Sequence, residues 1–298
     1  MKRQIVYLMS KPAHLPYLVV SLESLRKHWD GKIKVYAWAE SYDLVKRIAE
    51  DERLGIKASL FDPCHKGRNA QFECKQRVMQ WTDCDAGLYL DADTMIWSSL
   101  DLLFERAERF GFAATQYCDR YTDWLIIRNR IKRLRTFPEI DNELIEKLLT
   151  NRWPTVNGGV FACKPSSPVL PLWHKWTKAA REIYIADEVV LHTMMVKFGL
   201  SMEMTVVMEQ GKYNCSTMTY LHPQGLRDDH VHVWHFHGDK CVKINDKRPH
   251  EGHWSPKGIG LWWPAFCSAV NRNVGGMQEW WKDVDNKHLM NLYDRVTI

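Results

Sequence analysis

With 298 residues, 45% of them hydrophobic and 26% charged, the chain can bury a large core without disulfide or metal staples, and extended disorder is excluded. A formal net charge of +5 is mild for this length; it suits an anionic ligand but falls short of the excess that nucleic-acid modules usually carry. The eight cysteines are scattered and form no CxxC pair, which excludes a zinc ribbon or a redox motif and reads as the reduced thiols of a cytoplasmic protein.

The N-terminus opens on Met1-Lys2-Arg3-Gln4 and enters a short apolar run that Ser10-Lys11-Pro12 stops, too short for a signal peptide or a membrane span. Residues 4–10 read as a strand, and Leu15, Leu18, Val19, Leu22, Leu25 and Trp29 then recur at helical spacing on one face. A second strand is predicted over 32–39, a helix over 42–54, a third strand over 56–61, a helix over about 71–81, and a very apolar strand over 87–90. This βαβαβαβ order implies an α/β fold with a mainly parallel, doubly wound sheet, in which ligands sit beyond the carboxyl ends of the strands. A further strand is expected over 110–116, and residues 119–154 then turn basic and helix-prone, as an insertion over the site would. Asn157-Gly158 precedes a strand over 159–163, and Ser167-Pro168 caps a helix whose Val169, Trp173, Trp176, Ala180 and Ile183 share a face. Another helix starts near Asp187, a strand runs over 230–237, and a Trp- and Gly-rich tail covers 252–281.

The strongest chemical feature is Leu88-Tyr89-Leu90-Asp91-Ala92-Asp93-Thr94, an apolar strand ending in two carboxylates one residue apart. With period 2 the pair faces one way and can share one hard cation, and two carboxylates that close need such a counter-charge. On a strand, His235 and His237 also face one side, so spacing alone does not choose between them as a further ligand. Asn157-Gly158-Gly159 permits close backbone approach, because glycine removes the blocking side chain. Asp187 extends the apolar stripe of Val190, Leu191 and Met194 at the start of its helix.

In this order, YLDADT at 89–94, VNGGV at 156–160, Asp187-Glu188 and HFHG at 235–238 resemble the nucleotide-sugar glycosyltransferases of the GT-A fold. Within these the likeness is to family 8, the group that includes glycogenin and bacterial lipopolysaccharide galactosyltransferases, and it spans residues 4–243. The resemblance implies a Rossmann-like catalytic domain over 1–245, with 119–154 inserted on the acceptor side and 246–298 packed on it as a Trp-rich extension. It implies transfer of a hexose from a UDP-sugar to a carbohydrate or protein acceptor, with retention of configuration, and no nucleic-acid partner.

The implied metal ligands for Mn²⁺ or Mg²⁺ are Asp91, Asp93 and His235. Donor binding falls to Asp91, Ala92, Gly158, Gly238 and the basic residues Lys75 and Arg77. The family's motif continues to Lys-Pro-Trp where this chain reads Asp239-Lys240-Cys241-Val242-Lys243, so Lys240 and Lys243 both stand as partners of the leaving diphosphate. Asn157, Asp187 and Glu188 are the implied residues at the sugar, Glu188 standing where the family has glutamine. DxDxT also fits a phosphatase of the haloacid dehalogenase type, with Asp91 as phosphoryl acceptor, Asp93 as acid and Asp228-Asp229 as Mg²⁺ ligands. Three βα units ahead of the motif argue against that placement. A third reading is a non-catalytic binding protein using Arg128 to Arg135 and Trp254, Trp262, Trp263, Trp280 and Trp281, the tryptophans serving as a stacking platform.

Overall fold

A computed structural model describes residues 1–62, 70–116, 131–137, 140–150, 156–180, 187–198, 201–202, 204–207, 211–217, 228–236 and 256–281. In chain order the elements are β1 (Arg3–Met9), α1 (Leu15–Arg26), β2 (Lys32–Ala37), α2 (Ala39–Ala49), β3 (Ile56–Leu60), α3 (Ala70–Gln80), β4 (Ala86–Leu90), β5 (Thr94–Ile96), α4 (Asp101–Phe110), β6 (Phe112–Gln116), α5 (Asn142–Thr150), β7 (Val156–Cys163), α6 (Val169–Ala180), α7 (Asp187–Phe198), β8 (Met204–Val207), β9 (Cys215–Ser216), β10 (Val233–His235), α8 (Pro256–Asn271) and α9 (Met277–Trp281). The strands form a mostly parallel seven-stranded sheet, ordered β3-β2-β1-β4-β7-β6-β8, and a three-stranded sheet, β5-β10-β9. Among the described residues no helix is long and apolar enough to cross a membrane.

The chain divides into two interleaved compact units, the first made of Met1–Val6, Pro63–Tyr89 and Leu100–Asn214. Its centre is aromatic: Phe161 stacks on Tyr89 and Phe112 with ring centroids at 5.1 and 5.6 Å and meets the edge of Trp173 at 5.1 Å. All eight residues of β7 are buried, the continuous pattern of a strand covered on both faces. β7 runs antiparallel to β6, and the register jumps from Ala114↔Phe161 to Thr115↔Asn157, so residues 158–160 bulge out of the ladder. Asn157 and Gly158 therefore lie within the strand, which begins three residues earlier than periodicity predicts, because two small or polar residues hide it.

Helix α4 is absent from the sequence reading, which ran a strand back to Phe110. Its Leu103, Phe104 and Ala107 form a short buried stripe, and it ends at Gly111, whose φ of 83° and N–H bond to the Ala107 carbonyl, at 2.7 Å, close the last turn.

The second unit comprises Tyr7–Asp62, Leu90–Ser99 and Cys215–Ile298. Strands β2 and β3 pair in parallel from Ile33↔Ile56 to Ala37↔Leu60. Helix α2 starts at Ala39, where a strand end was expected, directly after the extended Trp38. Helix α8 packs on α1, Trp262 stacking between Tyr17 at 4.8 Å and Phe266 at 4.6 Å. Trp262 and Trp263 are buried and serve the core rather than a platform; Trp254 and the side chain of Trp280 lie outside the described residues. After α8 the chain turns through Gly275 at φ 56°, where a Cβ would fall 2.8 Å from Ile48 Cγ2. Asp51 accepts the Gly275 N–H at 2.8 Å, and Arg53 donates to the carbonyls of Arg272 and Asn273, at 3.0 and 3.1 Å.

Candidate functional site

In the second unit Asp91 and Asp93 follow the apolar end of β4, in the turn that leads to β5. Strand β10 lies antiparallel to β5 with His235 opposite Thr94, and parallel to β9 with His235 opposite Ser216. Two further backbone bonds hold this arrangement: Phe236 N–H donates to the Asp93 carbonyl at 2.8 Å, and Thr217 N–H donates to the His235 carbonyl at 3.3 Å. The result brings His235 Nε2 to 3.4 Å from Asp93 Oδ1 and 3.8 Å from Asp91 Oδ2. The His235 side chain is 1% exposed, Asp93 10% and Asp91 27%, so the group is closed on the imidazole side and reached past Asp91.

One ligand atom from each of the three residues lies within 4.8 Å of the others. An octahedral ion with bonds of about 2.1 Å sets adjacent ligand atoms about 3 Å apart and opposite ones about 4.2 Å apart. The 3.4 and 3.8 Å from His235 to the two aspartates fall between those values, and two carboxylate oxygens with one imidazole nitrogen form a donor set suited to Mn²⁺ or Mg²⁺. Two ionised carboxylates within that distance repel by roughly 3 to 4 kcal/mol at an effective dielectric of about 20, which a divalent cation reverses. Ala92, buried between the two aspartates, carries no functional side-chain atom and can act only through its backbone.

The first unit holds a second polar group. Lys75 on α3 and Asp187 at the start of α7 are both buried, with Lys75 Nζ 3.0 Å from Asp187 Oδ2 and donating to the Gly158 carbonyl at 3.1 Å. The lysine also lies over the Tyr89 ring, 5.4 Å from its centroid. Gly158 is required by close approach, since a Cβ there would meet Asp187 Oδ2 at 2.5 Å and Trp173 Cζ2 at 3.1 Å. Trp173 in turn donates its indole N–H to the Asp187 carbonyl at 3.0 Å.

Beside it Asn157 makes a directional bridge. Its Oδ1 accepts the Gly159 N–H at 2.7 Å, and because a backbone amide can only donate, the amide orientation is fixed. Asn157 Nδ2 must then donate to Glu188 Oε2, at 3.0 Å. Asn214 Nδ2 backs the arrangement, 3.0 Å from Thr115 Oγ1 and 3.5 Å from Asn157 Oδ1, while Thr115 donates to the Val160 carbonyl at 2.8 Å. Asn214 and Thr115 are positions that sequence reasoning missed, and no motif marks either.

Of the remaining candidates, Arg77 lies over the Trp81 ring at 4.9 Å. Gly238, Lys240, Lys243 and His237 fall outside the described residues. Asp229, an expected Mg²⁺ ligand in the phosphatase reading, is exposed and sits 3.9 Å from His230. The basic run is described from Ile131, where Ile131 and Leu134 turn inward and Arg135 pairs with Glu146 at 3.1 Å, as on an ordinary amphipathic surface segment.

No protein-family model and no curated protein sequence matches the chain. Among solved structures it is similar to mouse xyloside xylosyltransferase 1 in its apo form, with a TM-score of 0.56 and 14% identity over 80% of this chain and 99% of the other. It is similar to galactosyltransferase LgtC in complex with donor and acceptor sugar analogues, with a TM-score of 0.59 and 14% identity over 89% of this chain and 95% of the other. The glycosyltransferase GlyE of Streptococcus pneumoniae TIGR4 gives a TM-score of 0.53 and 14% identity over 92% of this chain and 64% of the other. The chain therefore has the GT-A glycosyltransferase fold. At such identities the likeness speaks for architecture, and activity has to be argued from the site.

Proposed function

We propose that the chain is a divalent-metal-dependent glycosyltransferase of the family 8 type, moving a hexose from a UDP-sugar to a carbohydrate or protein acceptor with retention of configuration. The observation that carries the reading is the convergence of Asp91, Asp93 and His235 in a chain with this fold. Mn²⁺ or Mg²⁺ held by these three side chains would supply positive charge to the departing diphosphate. Closure on the imidazole side shields His235 from water and leaves Asp91 as the member nearest solvent.

The first unit supplies groups suited to sugar hydroxyls. The Asp187 carboxylate is held by Lys75 and its backbone carbonyl by the Trp173 indole, and the Glu188 carboxylate is held by Asn157, so both carboxylates are oriented before any ligand arrives. Lys75 serves here to neutralise Asp187 and to fix the Gly158 carbonyl. Lys240 and Lys243 remain the proposed partners of the diphosphate. The described cysteines are all free thiols, which supports a reducing, cytoplasmic setting.

The test is slow donor hydrolysis across a panel of nucleotide sugars with Mn²⁺, which requires no acceptor. A UDP-hexose is expected to be turned over, chelation to abolish the reaction, and Asp93→Ala or His235→Ala to lower it at least about a hundredfold. Release of phosphate from a phosphomonoester without turnover of any nucleotide sugar would replace this reading with the phosphatase one.

A further inference from the structure

Three buried hydroxyls lead from the core of the second unit to the acidic turn. Tyr7 on β1, Ser21 on α1 and Thr94 at the start of β5 are each at most 1% exposed. Tyr7 Oη lies 2.9 Å from Ser21 Oγ, Ser21 Oγ lies 3.0 Å from Thr94 Oγ1, and Thr94 Oγ1 lies 2.9 Å from the Asp91 carbonyl oxygen. The direction of the chain follows from proton counting. A carbonyl only accepts, so Thr94 uses its single proton on Asp91. Ser21 must then donate to Thr94, which leaves Tyr7 to donate to Ser21. Burial pushes the Tyr7 hydroxyl well above its usual value, so the first proton of the series stays in place across the working pH range.

The turn is thus tied at both ends. The Asp91 carbonyl is held by the hydroxyl series and the Asp93 carbonyl by the Phe236 amide, the same backbone stretch that presents His235, so the backbone from which both carboxylates project is set. Ser24 adds a nearby tie, accepting the Ile96 N–H at 3.0 Å and donating to the Ser21 carbonyl at 2.8 Å. None of the three hydroxyls belongs to the ion's own donor set.

We infer that Tyr7, Ser21 and Thr94 are positioning residues for the cation, holding the Asp91 carboxylate in register with Asp93 and His235 before the ion arrives. The inference rests on the metal-dependent reading above. Outer residues that orient metal ligands typically change affinity by about tenfold to a hundredfold.

The experiment is Mn²⁺ binding to the full chain, followed by the paramagnetic resonance of free Mn²⁺ and by calorimetry, with metal-free melting recorded alongside. Thr94→Val keeps the shape and removes the last bond; it is expected to weaken Mn²⁺ by about tenfold at a melting temperature near that of the parent. Tyr7→Phe, the mildest change, is expected to weaken binding by a smaller factor. Ser21→Ala is expected to weaken it as much as the Ser21→Ala/Tyr7→Phe double variant, because losing the middle hydroxyl already disconnects the tyrosine. Unchanged affinity in Thr94→Val, or a double variant weakened by the full product of its two single effects, would overturn the inference. Parent protein that takes up no Mn²⁺ would overturn both this and the metal-dependent reading.

Discussion

Replacing Lys75 with methionine probes the buried pair that orients Asp187. The side chains are 6% and 5% exposed and their charged atoms lie 3.0 Å apart. Two unit charges at that distance attract by roughly 5 to 6 kcal/mol at an effective dielectric of about 20. Taking them out of water costs several kcal/mol for each ion, so the intact pair comes out near break-even. Removing the cation alone discards the attraction and leaves Asp187 desolvated. The expected loss is about 3 to 5 kcal/mol, a fall in melting temperature of roughly 10 °C.

The same variant carries a pH signature. Without Lys75 the buried carboxyl is raised above its unfolded value, so the folded chain holds a proton that the unfolded chain releases. Stability then declines as pH rises from about 4 through the raised value, above which the decline levels off. Urea unfolding at several pH values measures both effects. Adding Asp187→Asn removes the stranded charge and is expected to restore more than half of the loss. A cost below about 1 kcal/mol, or one independent of pH, would refute the argument, because a stranded buried carboxylate can be neither cheap nor indifferent to protons.

Two further outcomes follow from hydrogen-bond polarity and from a shifted carboxyl. Asn157→Asp sets a second carboxylate where Asn157 now donates to Glu188 at 3.0 Å, and its hydrolysis of UDP-hexose is expected to fall at least about tenfold from pH 5 to pH 8 as both groups ionise. Combining it with Glu188→Gln reverses the bond and is expected to flatten that profile; a flat profile in the single variant sinks the assignment. The Arg53 side chain, then the Gly275 amide, hold Asp51 below the usual carboxylate range. Its contribution is full above about pH 4 and lost as pH falls through the lowered folded value, so protection of the Gly275 amide from exchange is expected to drop on acidification in the parent and to be pH-independent in Asp51→Asn.

Legibility in the sequence tracks how local each feature is. The stripe of α1 and the apolar run of β4 are set by neighbours a few residues away, and both lie where periodicity puts them except for Trp29, which falls beyond the helix end at Arg26. The acidic doublet is readable because its strand is apolar and the carboxylates stand out against it. His235 is different: spacing leaves it level with His237, and only the pairing of Val233–His235 with Thr94–Ile96 brings its imidazole to the aspartates. The start of β7 was missed because Asn157 and Gly158 look like a turn, while buried neighbours on both sides keep them in the sheet. Asn214, Thr115, Ser21 and Tyr7 left no trace in composition or motif, since their roles consist entirely of contacts between distant segments. Trp262 and Trp263 show the converse, aromatic residues that invite a surface role and are consumed by packing, Trp262 against Tyr17 of α1 and Trp263 against Phe266 and Trp281.

The pairing of β10 with β5 also orders events during synthesis. The acidic doublet leaves the ribosome long before its imidazole partner, so a nascent chain that ends ahead of β9 presents two adjacent anions and nothing to complete their coordination. On the metal-dependent reading proposed above, cation uptake would favour the finished second unit over every shorter intermediate, and by mass action the ion would reward completion rather than initiation.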